Sequence, residues 1–156
     1  MSTNNQKMLL NIGSFILGFG FIGALDGIIF HQILQWHSVI MAVDRPTQIA
    51  SDGFFHLAVT ITLVVGGILL WVAGNPTTIT KGTRLVIGGF LIGGGIFNMI
   101  EGIINHHVLQ IHRVKPGDPN ALVFDLAFLT SGLLLFLIGY FIKRSLKRQN
   151  PSSVVG

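Results

Sequence analysis

Acidic residues and histidines recur at a fixed spacing inside the apolar runs of this 156-residue sequence. An acid is followed by a histidine five positions later and by another histidine six positions after that, and this pattern occurs twice. Imidazole and carboxylate groups are ligands that Zn, Fe, Mn and Cu(II) favour. The pattern therefore predicts a transition-metal site with one or two ions. The candidate metal ligands are Asp26, His31, His37, Asp52, His56, Glu101, His106, His112 and Asp125.

The two occurrences belong to a longer internal repeat with an offset of 75 residues. Both copies carry the motif [DE]-G-I-I-x-H-x-[IV]-L-Q-x-H, beginning at Asp26 and at Glu101. Shared Ile and Leu could arise by chance in two apolar helices, whereas a matched acid, two histidines and a glutamine could not. A fainter match aligns residues 52–58 with residues 121–127, which pairs His56 with Asp125. Gln35 and Gln110 are candidates for orienting the ligands.

The elements that must position these residues are membrane helices. Half of the residues are hydrophobic and 10% are charged, against about 25% charged residues in soluble domains. A helix needs about 20 apolar residues to cross a bilayer, and four runs meet that length. These runs are Leu9–Trp36, Gly53–Ala73, Leu85–Ile111 and Ala121–Ile142.

The sequence thus predicts an all-α membrane protein, an antiparallel four-helix transmembrane bundle built from two helical hairpins in parallel repeat. One domain covers residues 1–156, with repeat 1 at about 9–74, repeat 2 at about 84–142 and a cytoplasmic basic tail at 143–156. Lys and Arg concentrate on cytoplasmic loops. Both termini are therefore expected in the cytoplasm, because their side of the membrane carries Lys7, Lys81, Arg84, Lys143, Arg144, Lys147 and Arg148.

This orientation places the candidate ligands in the outer third of the membrane, where all four spans contribute to one layer. Each intramembrane carboxylate costs roughly 2.5–3.5 kcal/mol at a helix centre on insertion scales, so these groups must face the bundle interior and satisfy one another. A regular helix separates Asp26 from His31 by ~140° around its axis. Either a π-bulge or a glycine-assisted kink near Gly27 brings the two together, or His31 serves an adjacent site.

Other functions remain open at this stage. One histidine from each repeat, such as His31 and His106, could ligate a haem iron, as in an electron carrier. Chains of Asp, Glu and His also form proton or ion paths in membranes, although the inner halves of these spans offer few polar steps. The polar residues could also only lock helices together. An enzyme is possible, because a metal pair could activate water or oxygen. The absence of cysteine excludes disulfides, iron–sulfur clusters and thiolate sites.

The motif residues from Asp26 to His37, from Asp52 to His56, from Glu101 to His112, and Asp125 resemble a bacterial and archaeal family of predicted membrane proteins catalogued as a domain of unknown function (number 2243). The resemblance covers nearly the whole chain and implies a four-helix membrane protein. It also suggests a respiratory or copper-handling membrane complex as a partner, which ranks copper with iron and zinc among the metals. Membrane lipid is an expected partner, a homo-oligomer is possible, and nucleic acid is not expected.

Overall fold

Four long helices carry the four apolar runs. The computed structural model describes residues 1–148 and contains no strand within that range. The helices are α1 (Thr3–Asp26), α2 (Arg45–Ala73), α3 (Gly82–Ile100) and α4 (Ala121–Arg148). Two π-helical segments continue α1 and α3, namely π1 (Gly27–Ile33) and π2 (Glu101–Val108). A short 3-10 turn, Pro76–Thr78, joins the two halves of the chain.

All four helices are long and apolar enough to cross a membrane. The spans are Thr3–Ile33, Arg45–Ala73, Gly82–Val108 and Ala121–Leu146. Their outward surfaces are apolar: Trp71 is 86% exposed and Phe54 is 73% exposed. Large apolar side chains tolerate such exposure when the surroundings are lipid. The protein is therefore an all-α, multi-pass membrane protein, as the sequence predicts.

The helix boundaries differ from the predicted runs at several ends. α2 begins at Arg45, well before the predicted Gly53. Asp44 precedes it in an extended conformation, and Pro46 occupies the first turn, where a missing N–H costs nothing. The first and third spans end before Trp36 and Ile111, where the chain reverses direction. α4 continues through Arg148, into the predicted tail at 143–156, and residues 149–156 of that tail lie outside the described part.

Glycines allow α1 and α3 to cross in very close contact at the centre of the protein. A Cβ atom on Gly18 would overlap the carbonyl oxygen of Phe90, and a Cβ atom on Gly93 would overlap that of Phe15. Small residues permit such approach in membrane helices. α2 packs on α1, and α4 packs on α3, so the two helices that end in π segments lie side by side.

Candidate metal centre

The two π segments bring each acid and its first histidine together. In a π-helix the backbone hydrogen bonds run from residue i to residue i+5. The last bonds of this type join Leu34 N to Ile29 O at 2.8 Å and Leu109 N to Ile104 O at 2.7 Å. A five-residue gap then corresponds to about one helical turn. Of the two alternatives drawn from the sequence, the structure thus has the helix irregularity near Gly27, and the same irregularity occurs in π2.

After each π segment a left-handed glutamine reverses the chain. Gln35 has φ 49° and Gln110 has φ 50°, a conformation that costs a non-glycine residue of order 1–3 kcal/mol. The reversal brings the second histidine of each motif, His37 or His112, close to the first histidine of the same motif. Both glutamine side chains are exposed, so they shape the backbone and do not support the ligands as the sequence suggested.

The first triad consists of Asp26, His31 and His37. Each residue is at most 4% exposed. One donor atom from each lies within 4.8 Å of the others, and His31 Nε2 lies 3.6 Å from Asp26 Oδ2. Those two atoms and His37 Nε2 are buried without a hydrogen-bond partner. Three potential ligand atoms thus converge at one point.

The second triad consists of Glu101, His106 and His112, the corresponding residues of the second motif. Its donor atoms also lie within 4.8 Å of one another. His112 Nε2 lies 3.0 Å from Glu101 Oε1, yet the orientation of the ring does not satisfy a hydrogen bond. Asn105 Nδ2 donates to Glu101 Oε2 at 2.7 Å, which orients the carboxylate.

Backbone carbonyls exchanged between the two halves orient the outer histidines. His37 Nδ1 lies 2.7 Å from Val114 O, and His112 Nδ1 lies 2.9 Å from Val39 O. Because a carbonyl only accepts, the Nδ1 atom of each ring must carry the proton. The Nε2 lone pair is then available to a metal, and fixing the tautomer in this way is typical of ligating histidines. Burial, with His112 alongside, lowers the pKa of His37 to about 3, so this ring is neutral at physiological pH.

Asp52 and Asp125 lie behind the inner histidines, on the side away from the acids of the triads. Asp52 Oδ1 lies 3.1 Å from His31 Nδ1, and Asp125 Oδ1 lies 3.7 Å from His106 Nδ1. Carboxylates in this position orient a ligating imidazole and raise its basicity. Neither Nδ1 atom satisfies a hydrogen bond to its aspartate, and 3.7 Å is too long for one, so this support is electrostatic. Direct metal ligation by Asp52 and Asp125 stays a prediction.

The same two aspartates correct the register of the sequence match between α2 and α4. Asp52 accepts a hydrogen bond from Val39 N at 2.8 Å, and Asp125 accepts one from Val114 N at 3.0 Å. Asp125 is thus the counterpart of Asp52, and its predicted pairing with His56 is wrong. The error arises because α2 begins one turn earlier than α4 relative to these aspartates.

His56 lies outside both triads. Its ring packs against the backbone of Gly27, where an added Cβ atom would lie 2.7 Å from His56 Cε1. Leu129 makes the corresponding contact with Gly102. A histidine whose counterpart is a leucine has no place in a paired ligand set, although its Nε2 is also buried without a partner.

The imidazoles of the two triads contact one another. The rings of His37 and His112 stack with centroids 4.5 Å apart and an angle of 10° between their planes. His37 and His106 have centroids 6.3 Å apart, as do His31 and His112. The two triads therefore form one buried cluster of histidines and carboxylates.

Several supporting residues did not emerge from the sequence reasoning. Val39 and Val114 act through their backbones, although the recurrence of His-x-Val at the same offset could have indicated them. Asn105 follows Glu101 by four residues, a spacing that could have suggested their hydrogen bond. Arg113 Nη1 lies 3.6 Å from Asp125 Oδ2. This contact depends on tertiary structure, and no sequence pattern indicates it.

Comparison with known proteins identifies the class to which this chain belongs. The family described as Predicted membrane protein (DUF2243) matches residues 13–146. The chain therefore belongs to this family, and the match covers both triads, α2, α3 and most of α1 and α4. No curated protein and no solved structure matches the chain.

Proposed function

We propose that this membrane protein holds a pair of first-row transition-metal ions, one in each triad. The main support is the crossed arrangement of His37 and His112: the Nδ1–H of each ring donates a hydrogen bond to a backbone carbonyl of the other half. This leaves the Nε2 lone pair of each ring for coordination. Around these rings, several buried nitrogen and oxygen atoms that could ligate a metal lack hydrogen-bond partners. Leaving such atoms unpaired is costly in a low-dielectric interior, and a cation coordinated by them removes that cost.

The ligand types indicate which metals fit. Each triad supplies two imidazoles and one carboxylate, the set found at non-haem Fe(II) sites with open coordination positions. Mn, Zn and Cu(II) accept the same ligands, whereas Cu(I) favours the sulfur ligands that these triads lack. Asp52 and Asp125 then act as supporting carboxylates for His31 and His106.

The ring packing favours metal ions over haem. An axially ligated haem lies between its two histidines. The stacked rings of His37 and His112 and the Asp52 and Asp125 carboxylates beside the other two rings occupy the space that a macrocycle needs. A resident metal centre is also more consistent with these buried, oriented ligands than rapid hand-over of an ion. Such a centre would serve redox chemistry, metal handling or metalloenzyme assembly, and association with a respiratory or copper-handling complex remains a prediction.

Elemental analysis and an optical spectrum of the protein purified in detergent test the proposal. We expect two metal equivalents per chain and no Soret band. His31→Ala and His106→Ala should each lose one equivalent, and the double variant should lose both. His107→Ala is the matched control, because His107 adjoins His106 but belongs to neither triad. A Soret band, or no metal after reconstitution of folded protein, would overturn the proposal.

We infer further that the metal centre faces the extracytoplasmic side, from the excess of Lys and Arg at the opposite end of the helices. Because the chain has no cysteine, single variants can be labelled selectively. Thr47 lies exposed at the metal-centre end and Thr78 at the other end. In intact cells an impermeant maleimide should label Thr47→Cys, and it should label Thr78→Cys only after permeabilisation. The reverse result would invert the orientation.

A further inference from the structure

A cavity of about 400 Å³ lies between α1 and α4, next to the first triad. Small-molecule sites typically measure about 300–1,000 Å³. Ile29, Ala127 and Ser131 line this cavity and are exposed, so in a membrane it opens sideways to the hydrocarbon. Asp26, a member of the first triad, also lines this cavity. The rest of the wall is largely apolar and aromatic, including Ile22, Phe30, Trp36, Phe124, Phe128 and Leu135.

Phe97 fills the corresponding position on the other side of the protein. Phe97 stands in α3 where α1 has Ile22, and it is 5% exposed. Its ring packs edge-on against Phe19, with centroids 5.2 Å apart, and also contacts Phe55. The smaller Ile22 leaves space between α1 and α4. The two halves therefore differ at this position: one has a cavity, and the other has the side chain of Phe97.

Asn98 places an unpartnered acceptor at the cavity wall. Its side chain is 6% exposed, and its Nδ2 donates to Ser131 Oγ at 3.0 Å. Its Oδ1 is buried without a partner. The corresponding residue of the first repeat is Gly23, so this polar group exists on the cavity side alone. A buried acceptor without a donor favours a ligand that carries an O–H group.

We propose that this cavity binds a lipid-soluble phenol or hydroquinone from the membrane. Its hydroxyl donates to Asn98 Oδ1 and lies beside Asp26, while its ring packs among the aromatic residues of the wall. The aromatic wall favours a ring over a lipid alkyl chain, and the lateral opening suits a molecule that partitions into the bilayer. Binding in the cavity does not require the proposed metal centre. Only the consequence that the ligand reaches a metal from the lipid rests on that proposal.

Trp36 provides a direct signal for occupancy. The chain has two tryptophans, of which Trp36 lines the cavity and Trp71 is exposed at the opposite end of α2. In a Trp71→Phe background, a brominated alkylphenol in detergent should quench Trp36 fluorescence in a saturable manner. The methyl ether of the same phenol, which cannot donate a hydrogen bond, should bind about fivefold to tenfold more weakly.

Variants at the cavity distinguish binding from partition into the micelle. Ile22→Phe, which copies the residue that fills the other side, should abolish saturable quenching. Ala127→Phe at the exposed mouth should do the same if Ile22→Phe does not fold. Asn98→Leu should remove the preference for the phenol over its ether. Ile61→Phe, on the lipid-facing surface of α2, is the control and should bind normally.

Non-saturable quenching, or quenching unchanged in the folded cavity variants, would overturn the proposal. Equal binding of phenol and ether would also overturn it, in favour of a lipid chain. The titration is performed on both metal-free and metal-loaded protein. Because Asn98 accepts the hydrogen bond from the hydroxyl, saturable binding should persist without metal. An absent metal and an absent phenol site therefore give different results.

Discussion

The two triads use the same ligand types but differ in their surroundings. In the second triad, Asn105 donates to Glu101, and His112 Nε2 lies 3.0 Å from the same carboxylate. In the first triad, Asp26 Oδ2 has no hydrogen-bond partner, and Asp26 borders the cavity between α1 and α4. One carboxylate is thus held by a hydrogen bond, whereas the other lacks that bond and borders a cavity.

This difference suggests a division of roles. Metal sites whose ligands are held in place retain their ions, whereas sites that do chemistry keep a position open for water or substrate. We therefore expect tighter binding in the triad of Glu101 and exchange or reactivity in the triad of Asp26. Two similar halves can give different sites because a few side chains differ, chiefly Asn105 in place of Phe30 and Phe97 in place of Ile22.

Breaking the contact between α1 and α3 should have the largest effect, because it disturbs both triads together. Gly18→Ala would press a methyl group against the Phe90 carbonyl, and backbone overlap cannot be relieved by a rotamer change. We expect a loss of about 3 kcal/mol or more, measured as a fall in melting temperature in detergent. Gly67→Ala is the control, because nothing lies within 4 Å of the added Cβ atom. Equal melting temperatures would refute the close crossing.

Removing the charge behind each inner histidine should come next. Asp52→Asn and Asp125→Asn keep an oxygen for the Val39 or Val114 N–H, but they weaken support of the imidazole. Losses of this kind reduce metal affinity about 10-fold to 100-fold. The effect should be larger for Asp52, which lies closer to its histidine, at 3.1 Å against 3.7 Å. Competition with a chelator in single-triad backgrounds measures both affinities, and loss of a whole metal equivalent would instead indicate direct ligation.

Asn105→Ala should reduce the difference in metal affinity between the two triads. Without its hydrogen bond, Glu101 loses orientation, and we expect about tenfold weaker metal binding in the second triad. The measurement uses a His31→Ala background, in which the second triad alone remains, and His107→Ala serves as the neighbouring control. Unchanged affinity would mean that the amide does not contribute to the tighter site.

His56→Leu should have the smallest effect on metal content. Leu129 already occupies the corresponding position beside Gly102, so leucine should pack acceptably against Gly27. We expect two metal equivalents and an affinity within about twofold of the parent, since neither triad includes His56. The loss of one equivalent would return His56 to the ligand set.

Much of this arrangement follows from the sequence for identifiable reasons. Hydropathy and length predict the four spans. The conflict between a five-residue gap and a 3.6-residue period gives an irregularity after Asp26 as one of two alternatives, the other being a separate site for His31. The match of Asp125 to Asp52 was not predicted, because it depends on a hydrogen bond from the backbone N–H of Val114, in the loop before α4. The crossed histidine–carbonyl bonds and the cavity depend on tertiary packing, which a repeated motif cannot specify.

Electron paramagnetic resonance of the Cu(II)-loaded protein tests the central claim most directly, because Cu(II) binds nitrogen and oxygen ligands most strongly among the divalent first-row metals. Contact between the imidazoles of the two triads predicts a magnetically coupled pair at two equivalents per chain. His31→Ala and His106→Ala should each give the spectrum of a single isolated ion. Two uncoupled ions in the parent protein, or saturation at one equivalent, would contradict a paired centre.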